Sequence, residues 1–210
     1  MNRFSCLTGI PEMTKGLVRE LRVRWIHEEM GLPYEAVVYP HPEIKKEPYK
    51  ELQPFGQVPF FSDENVTMFE TGAILLHLAL KHKKLLPTDE VERAQVFTWM
   101  FAALNSVEPY MFHFFLLKFD PDAQETTKAK AKEIIDGRLI ALSKELGERE
   151  FFGKSFSIAD IIMTTVLKTA GFLGTMDQYP NLVKYVERNE SRPAFQRALS
   201  AHSKLYEVKQ

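Results

Sequence analysis

A single cysteine, Cys6, stands in the whole chain of 210 residues. That scarcity excludes an intramolecular disulfide and any zinc site built from several cysteines, and it fits a reducing compartment. Long hydrophobic runs are also missing. The most apolar stretch of the second half, Met111-Phe-His-Phe-Phe-Leu-Leu117, is interrupted by His113 and stopped by Lys118, far short of the ~20 residues a spanning helix needs. The opening residues MNRFSCLTGIPEM lack the continuous apolar core of a signal peptide. Neither sign of charge is in excess: the formal net charge is -1, so no basic face marks a nucleic-acid partner. Repeats and low-complexity tracts are absent. The expectation is a soluble, cytoplasmic protein that engages neither membrane nor nucleic acid. With 45% hydrophobic and 26% charged residues, the chain can bury a real core in one large domain or two small ones.

The patterning that is present changes character along the chain. Residues 2–7 predict a short strand, ended by the breakers Thr8-Gly9-Ile10-Pro11. From Lys15 to Met30, the positions Leu17, Val18, Leu21, Trp25 and Ile26 recur at helical spacing, and Gly31 supplies the stop. Tyr34 to Tyr39 is a strand by its β-branched and aromatic content, while residues 42–53 suit an exposed connection. Val58 to Ser62 and Val66 to Phe69 predict two strands joined by the turn Asp63-Glu64-Asn65, and Glu70 to Lys81 a helix with acid first and base last. After residues 83–90, a linker by proline and polar content, strand signals vanish. Helical patterning then covers residues 91–106, 123–146, 157–171, 181–189 and 193–203. The order predicts an α/β unit over residues 1–82 and an all-α unit over residues 91–210.

Several stretches carry chemistry. Ser157-Ile-Ala-Asp160 is a capping-box signature with Phe156 and Ile161 at the staple positions, which starts a helix. Glu70-Thr71-Gly72 opens a helix directly after a strand. Its unpaired N–H groups can hold a ligand carboxylate, with the Thr71 hydroxyl adding a hydrogen bond and Glu70 holding an ammonium group, or the segment is a simple cap. In Phe55-Gly-Gln-Val-Pro-Phe-Phe61 the proline stands at a strand start. A cis Val58-Pro59 bond would leave the Val58 backbone free to receive an extended peptide; an edge-strand proline without ligand is the other reading. His77, His82 and His113 are not at metal-ligand spacing, so no metal is expected.

These segments together resemble the cytosolic glutathione transferases. The resemblance rests on Arg22-Val-Arg24 with Glu28-Glu-Met-Gly-Leu-Pro-Tyr-Glu35, Gln53-Pro-Phe-Gly-Gln-Val-Pro59, Glu70-Thr-Gly-Ala-Ile-Leu75, Leu85-Leu-Pro87, Ser157-Ile-Ala-Asp160, and Tyr179-Pro-Asn-Leu182 through Arg192-Pro-Ala-Phe195. Each motif alone is weak; their order and spacing over nearly the whole chain are specific. The resemblance implies a thioredoxin-like amino-terminal domain that holds glutathione as co-substrate, an all-helical domain with the second substrate's pocket, and a homodimer. The tripeptide's cysteinyl backbone would meet Val58 and Pro59 with Gln57 beside them, and its γ-glutamyl end Glu70 and Thr71.

The implied reaction is attack of the glutathione thiolate on a small hydrophobic electrophile. It needs a lowered thiol pKa, because a thiol at about 8.5 is mostly protonated at neutral pH. In the family the group responsible lies between the first strand and the first helix. There this chain has Thr8-Gly-Ile-Pro-Glu-Met-Thr-Lys15, longer than usual, with no tyrosine and no Ser-Ser-Cys run of the maleylacetoacetate isomerase kind. Thr14, expected just before the helix, and Thr8 are the first candidates, ahead of Ser5 and Cys6; Cys6 reads as a small buried hydrophobe. Tyr110, after the helix-bending Glu108-Pro109, is the expected polar member of the second-substrate pocket, whereas Trp99, Phe101 and Leu104 read as packed core. A glutathione-dependent isomerase or peroxidase, or a noncatalytic binding module of the same fold, are the alternatives.

Overall fold

The computed structural model describes residues 1–9 and 11–207; Ile10, part of the expected breaker stretch, lies outside the described residues. Strands β1 (Asn2–Thr8), β2 (Tyr34–Pro40), β3 (Phe60–Ser62) and β4 (Thr67–Phe69) form one sheet in the order β2-β1-β3-β4. β1 and β2 run parallel, while β3 is antiparallel to both β1 and β4. A parallel pair needs a crossover, and helix α1 (Glu20–Met30) is that crossover. The one-turn helix α2 (Tyr49–Leu52) lies in the expected polar connection, and α3 (Thr71–His82) follows β4.

Helix α1 begins at Glu20 and not at Lys15. Gly16 has φ +79°, outside the helical region, and the bonds Leu17 N–H to Thr14 C=O and Leu21 N–H to Val18 C=O are tight three-residue turns. Thr14 therefore does not cap α1. It ends a separate single turn over Glu12–Thr14, and its hydroxyl donates to the Pro11 carbonyl at 2.7 Å.

In the second half, α4 (Glu90–Phe101) runs through a π-helical segment (Ala102–Val107) into α5 (Glu108–Phe119), followed by α6 (Glu125–Leu146), α7 (Ile158–Phe172), α8 (Pro180–Glu190) and α9 (Pro193–Glu207). Pro109 cannot donate to the ladder and crowds the carbonyl four residues before it, so the widened turn falls just upstream. Arg138 of α6 donates from Nε to the Ser106 carbonyl in that segment at 3.0 Å. The buried stripe is Val96, Met100, Ala103, Val107 and Met111. Phe101, expected in the core, stands one step round the helix from Met100 and is 51% exposed.

The chain divides into two compact units, Met1–Lys84 with the segment from Ser191 onward, and Leu85–Glu190. The break after Lys84 falls inside the expected linker. The last segment, expected in the helical unit, belongs instead with the sheet. There α9 packs on α1 through Trp25 edge-on to Phe195 at 4.8 Å, Arg192 bonded to both oxygens of Glu29 at 2.6 and 2.9 Å, and Arg197 to Glu28 at 2.8 Å. His202 of α9, fully buried, accepts from the Gly16 N–H at Nε2 (3.0 Å), so its proton sits on Nδ1, bonded to Glu20.

Candidate functional site

Strand direction brings the expected ligand residues together. Phe4 pairs with Phe61 and Phe60 with Phe69, both antiparallel, so the carboxy-terminal end of β1, the residues before β3 and those after β4 share one end of the sheet. Thr8, Gln57 to Pro59, and Glu70 with Thr71 all lie there. Tyr110 belongs to the other unit, at the start of α5, with the Arg138 guanidinium 4.6 Å over its ring.

The segment before β3 is held from behind by three side chains. Lys45 donates from Nζ to the Gly56 carbonyl at 2.7 Å, the Gln57 N–H donates to Gln53 Oε1 at 3.1 Å, and the Tyr49 hydroxyl donates to the Gln57 carbonyl at 2.6 Å. With its own proton spent on Gln57, Tyr49 accepts from Ser5 Oγ (2.7 Å), which in turn accepts from the Phe60 N–H at 2.8 Å. The Val58–Pro59 bond is cis. Val58 is only 8% exposed, its side chain clusters with Ile44, Tyr49 and Phe60, and neither its N–H nor its C=O has a hydrogen-bond partner among the described residues. Buried backbone groups are seldom left so, and an outside partner is the ordinary remedy.

Glu70 precedes α3 with φ 70° and ψ 114°, is exposed, and makes no side-chain bond to the helix end. A non-glycine residue held there costs about 1–3 kcal/mol, and such strain gathers at ligand sites. Simple capping by its side chain is thus not what the position does. Thr71 is buried, and its Oγ1 accepts from Arg22 Nη1 at 3.2 Å, which leaves its own O–H to donate. The hydroxyl, the early N–H groups of α3 and the positive end of its dipole suit a carboxylate.

The hydroxyl and thiol candidates separate clearly. Ser5 is fully buried and spent on Tyr49 and Phe60. Cys6 is also fully buried; burial, with the Glu20 charge, pushes its thiol up to about 12, although Arg24 donates to Sγ at 3.1 Å and works the other way. It stays protonated at neutral pH and is no nucleophile. Thr14 has its proton on Pro11, whereas the Thr8 hydroxyl, half-buried, has no partner among the described residues. Sequence reasoning missed Arg22, Tyr49, Gln53 and Lys45. Arg22 and Gln53 stand in the quoted motifs without an assigned role, and Lys45 and Tyr49 lie in the stretch that reads as an exposed connection; what each holds depends on how the chain folds back, as with Arg22 and Thr71, 49 positions apart.

Among the described residues no group of three or more His, Cys, Asp or Glu is placed to hold a metal ion, and no helix is long and apolar enough to cross a membrane.

A four-stranded sheet unit of thioredoxin-like order, followed in sequence by an all-helical unit, is the architecture of the glutathione transferase fold. Family models for the glutathione S-transferase N-terminal domain and C-terminal domain match residues 21–84 and 106–193. The chain belongs to the glutathione S-transferase family. It is 29% identical over 171 residues to a GST-like protein of Streptococcus mutans, covering 73% of this chain, and spans 64% of that relative's length. To glutathione S-transferase 3 of Schizosaccharomyces pombe it is 28% identical over 196 residues, 84% of this chain and 81% of the relative. Its structure is similar to that of a Burkholderia graminis glutathione transferase with two glutathione molecules bound per subunit, at TM-score 0.83 and 25% identity over 95% of this chain and 88% of that one.

Proposed function

We propose that the protein is a glutathione transferase that joins the glutathione thiolate to small hydrophobic electrophiles. The observation that carries the reading is the sheet end where the unpartnered Val58 backbone stands beside Glu70 and the start of α3. An extended tripeptide fits it. Its cysteinyl N–H and C=O pair with Val58 beside Gln57 and Pro59, its γ-glutamyl carboxylate meets Thr71 and the α3 N–H groups, and its ammonium meets Glu70. Glutathione bound in the Burkholderia relative supports the same ligand here.

The thiol needs a donor that favours its ionised form. Thr8, at this end of β1 with an uncommitted hydroxyl, takes that role first, and Thr14, whose proton would have to leave the Pro11 carbonyl, second; donation lowers the thiol pKa, and the thiolate then attacks carbon and displaces the leaving group. Tyr110, in the helical unit, is the group proposed to recognise the second substrate. The working form is a cytoplasmic homodimer without a metal.

The test is calorimetric binding of glutathione with turnover of a chlorinated nitroaromatic, on wild type, Thr8→Val, Thr14→Val and Glu70→Gln. Thr8→Val should lose about tenfold or more in kcat while still binding glutathione, and Glu70→Gln should weaken binding. Binding without turnover of any electrophile, peroxide or cis-enone assigns the noncatalytic module instead, and turnover of only the last two substrates the peroxidase or isomerase. Absence of glutathione binding overturns the reading.

A further inference from the structure

The hydrogen bonds behind the Gly56–Val58 segment are arranged with a direction. The Gly56 carbonyl is held by Lys45, and both backbone groups of Gln57 are held by Gln53 and Tyr49. The next residue, Val58, has neither group held among the described residues. The frame thus stops one residue short of the open backbone, with Tyr49 at its last bond.

The Tyr49 ring and hydroxyl have separable roles. The ring packs edge-on against Tyr39 at 4.8 Å and tilted against Phe60 at 5.7 Å, contacts a phenylalanine would make equally well. The hydroxyl is a cost in that apolar cluster unless it is bonded on both sides, and it is. Ser5 of β1 donates to it and it donates to Gln57, a chain that ties the sheet to the segment. Burial pushes the phenol up to about 12, so the donor keeps its proton throughout the range in which a thiolate enzyme would work.

We infer that Tyr49 is the positioning residue for glutathione: supported by Ser5, its hydroxyl fixes the Gln57 peptide plane and thereby aims the unpaired Val58 N–H and C=O at the tripeptide backbone. The inference rests on the glutathione reading above. Tyr49 touches no substrate atom; it removes the need to order Gln57–Val58 when the ligand arrives, which is preorganisation. Without that bond, the peptide plane has to be ordered at each binding event.

The test measures calorimetric affinity for glutathione, the melting temperature, and amide exchange at Gly56 and Gln57 in wild type and Tyr49→Phe. The expected result is a Kd raised about tenfold and Gly56 and Gln57 exchange faster by about tenfold, with exchange in the middle of α1 unchanged. A purely structural hydroxyl would lower the melting temperature and leave affinity and local exchange as in wild type, which overturns the inference alone. If Tyr49→Phe does not fold, Ser5→Ala is read the same way, because it keeps the ring and removes the support of its hydroxyl. Wild-type protein that takes up no glutathione overturns the reading of the site and this inference with it.

Discussion

Gly56 shows how much one residue decides. It has φ +60°, and a Cβ there would lie 2.7 Å from the Ile44 carbonyl oxygen. Both the backbone angle and the space require glycine. Its carbonyl is also the one Lys45 holds, so the residue sits inside the hydrogen-bonded frame of the segment before β3. Gly56→Ala should destabilise the protein by about 1–3 kcal/mol in urea titration, the native clash outweighing the smaller gain from a stiffer unfolded chain. Cys6 makes the opposite case. Its sequence position near the expected thiol-activating loop invites a catalytic role, yet burial and the Glu20 charge keep it a thiol at neutral pH.

Elements begin and end where side chains meet orphaned backbone groups. The start of α7 was legible from four residues. Asp160 accepts from the Ser157 N–H at 3.0 Å and the box is closed on both sides. The same carboxylate goes further than the motif implied, accepting from the Phe152 N–H at 3.2 Å and the Tyr185 hydroxyl at 2.9 Å, so it joins α7 to α8 and to the segment before α7. Ser157→Ala should cost about 1 kcal/mol, the ordinary loss of a cap, whereas Asp160→Ala should cost about 3 kcal/mol because it also strands buried donors. Chemical denaturation of the two variants side by side checks the ranking. The start of α1 and the π-helical turn were not legible: Leu17 and Val18 keep helical spacing although Gly16 turns the chain aside, and spacing cannot see a widened turn.

At the scale of the whole molecule, acid stability follows from a buried neutral imidazole. His27 donates from Nδ1 to the Val23 carbonyl at 2.7 Å, accepts from Asn2 Nδ2 at 3.0 Å, and is packed against both the Phe4 and the Tyr34 rings. Burial lowers its pKa from 6.5 to about 4, against the Val23 bond, which raises it. The unfolded chain therefore binds the proton first. The stability it contributes is complete above pH 6.5 and is lost as pH falls toward 4, about 3 kcal/mol in all. Urea unfolding at steps from pH 7.5 to 4.5 should trace that decline, and a folded His27→Gln variant should show a flatter one.

The sequence by itself determined the order of elements through the βαβ-ββα half and the helices after it, because periodicity, breakers and caps are local properties written within a few residues. A proline at a strand start and a polar pair at a helix start are local signals of the same kind, and they mark Val58, Glu70 and Thr71 as the proposed ligand residues. Only the tertiary structure decided that α9 covers α1, because the Arg192–Glu29 and Trp25–Phe195 contacts join residues at least 163 positions apart in the chain. The same is true of Arg22, which has no assigned role in the sequence pattern and is buried against Thr71, and of Tyr49, which reads as a residue of an exposed connection and is buried behind the segment before β3. Burial is a sum over neighbours from the whole chain, and it turns an ordinary arginine, tyrosine or serine into the support of a site.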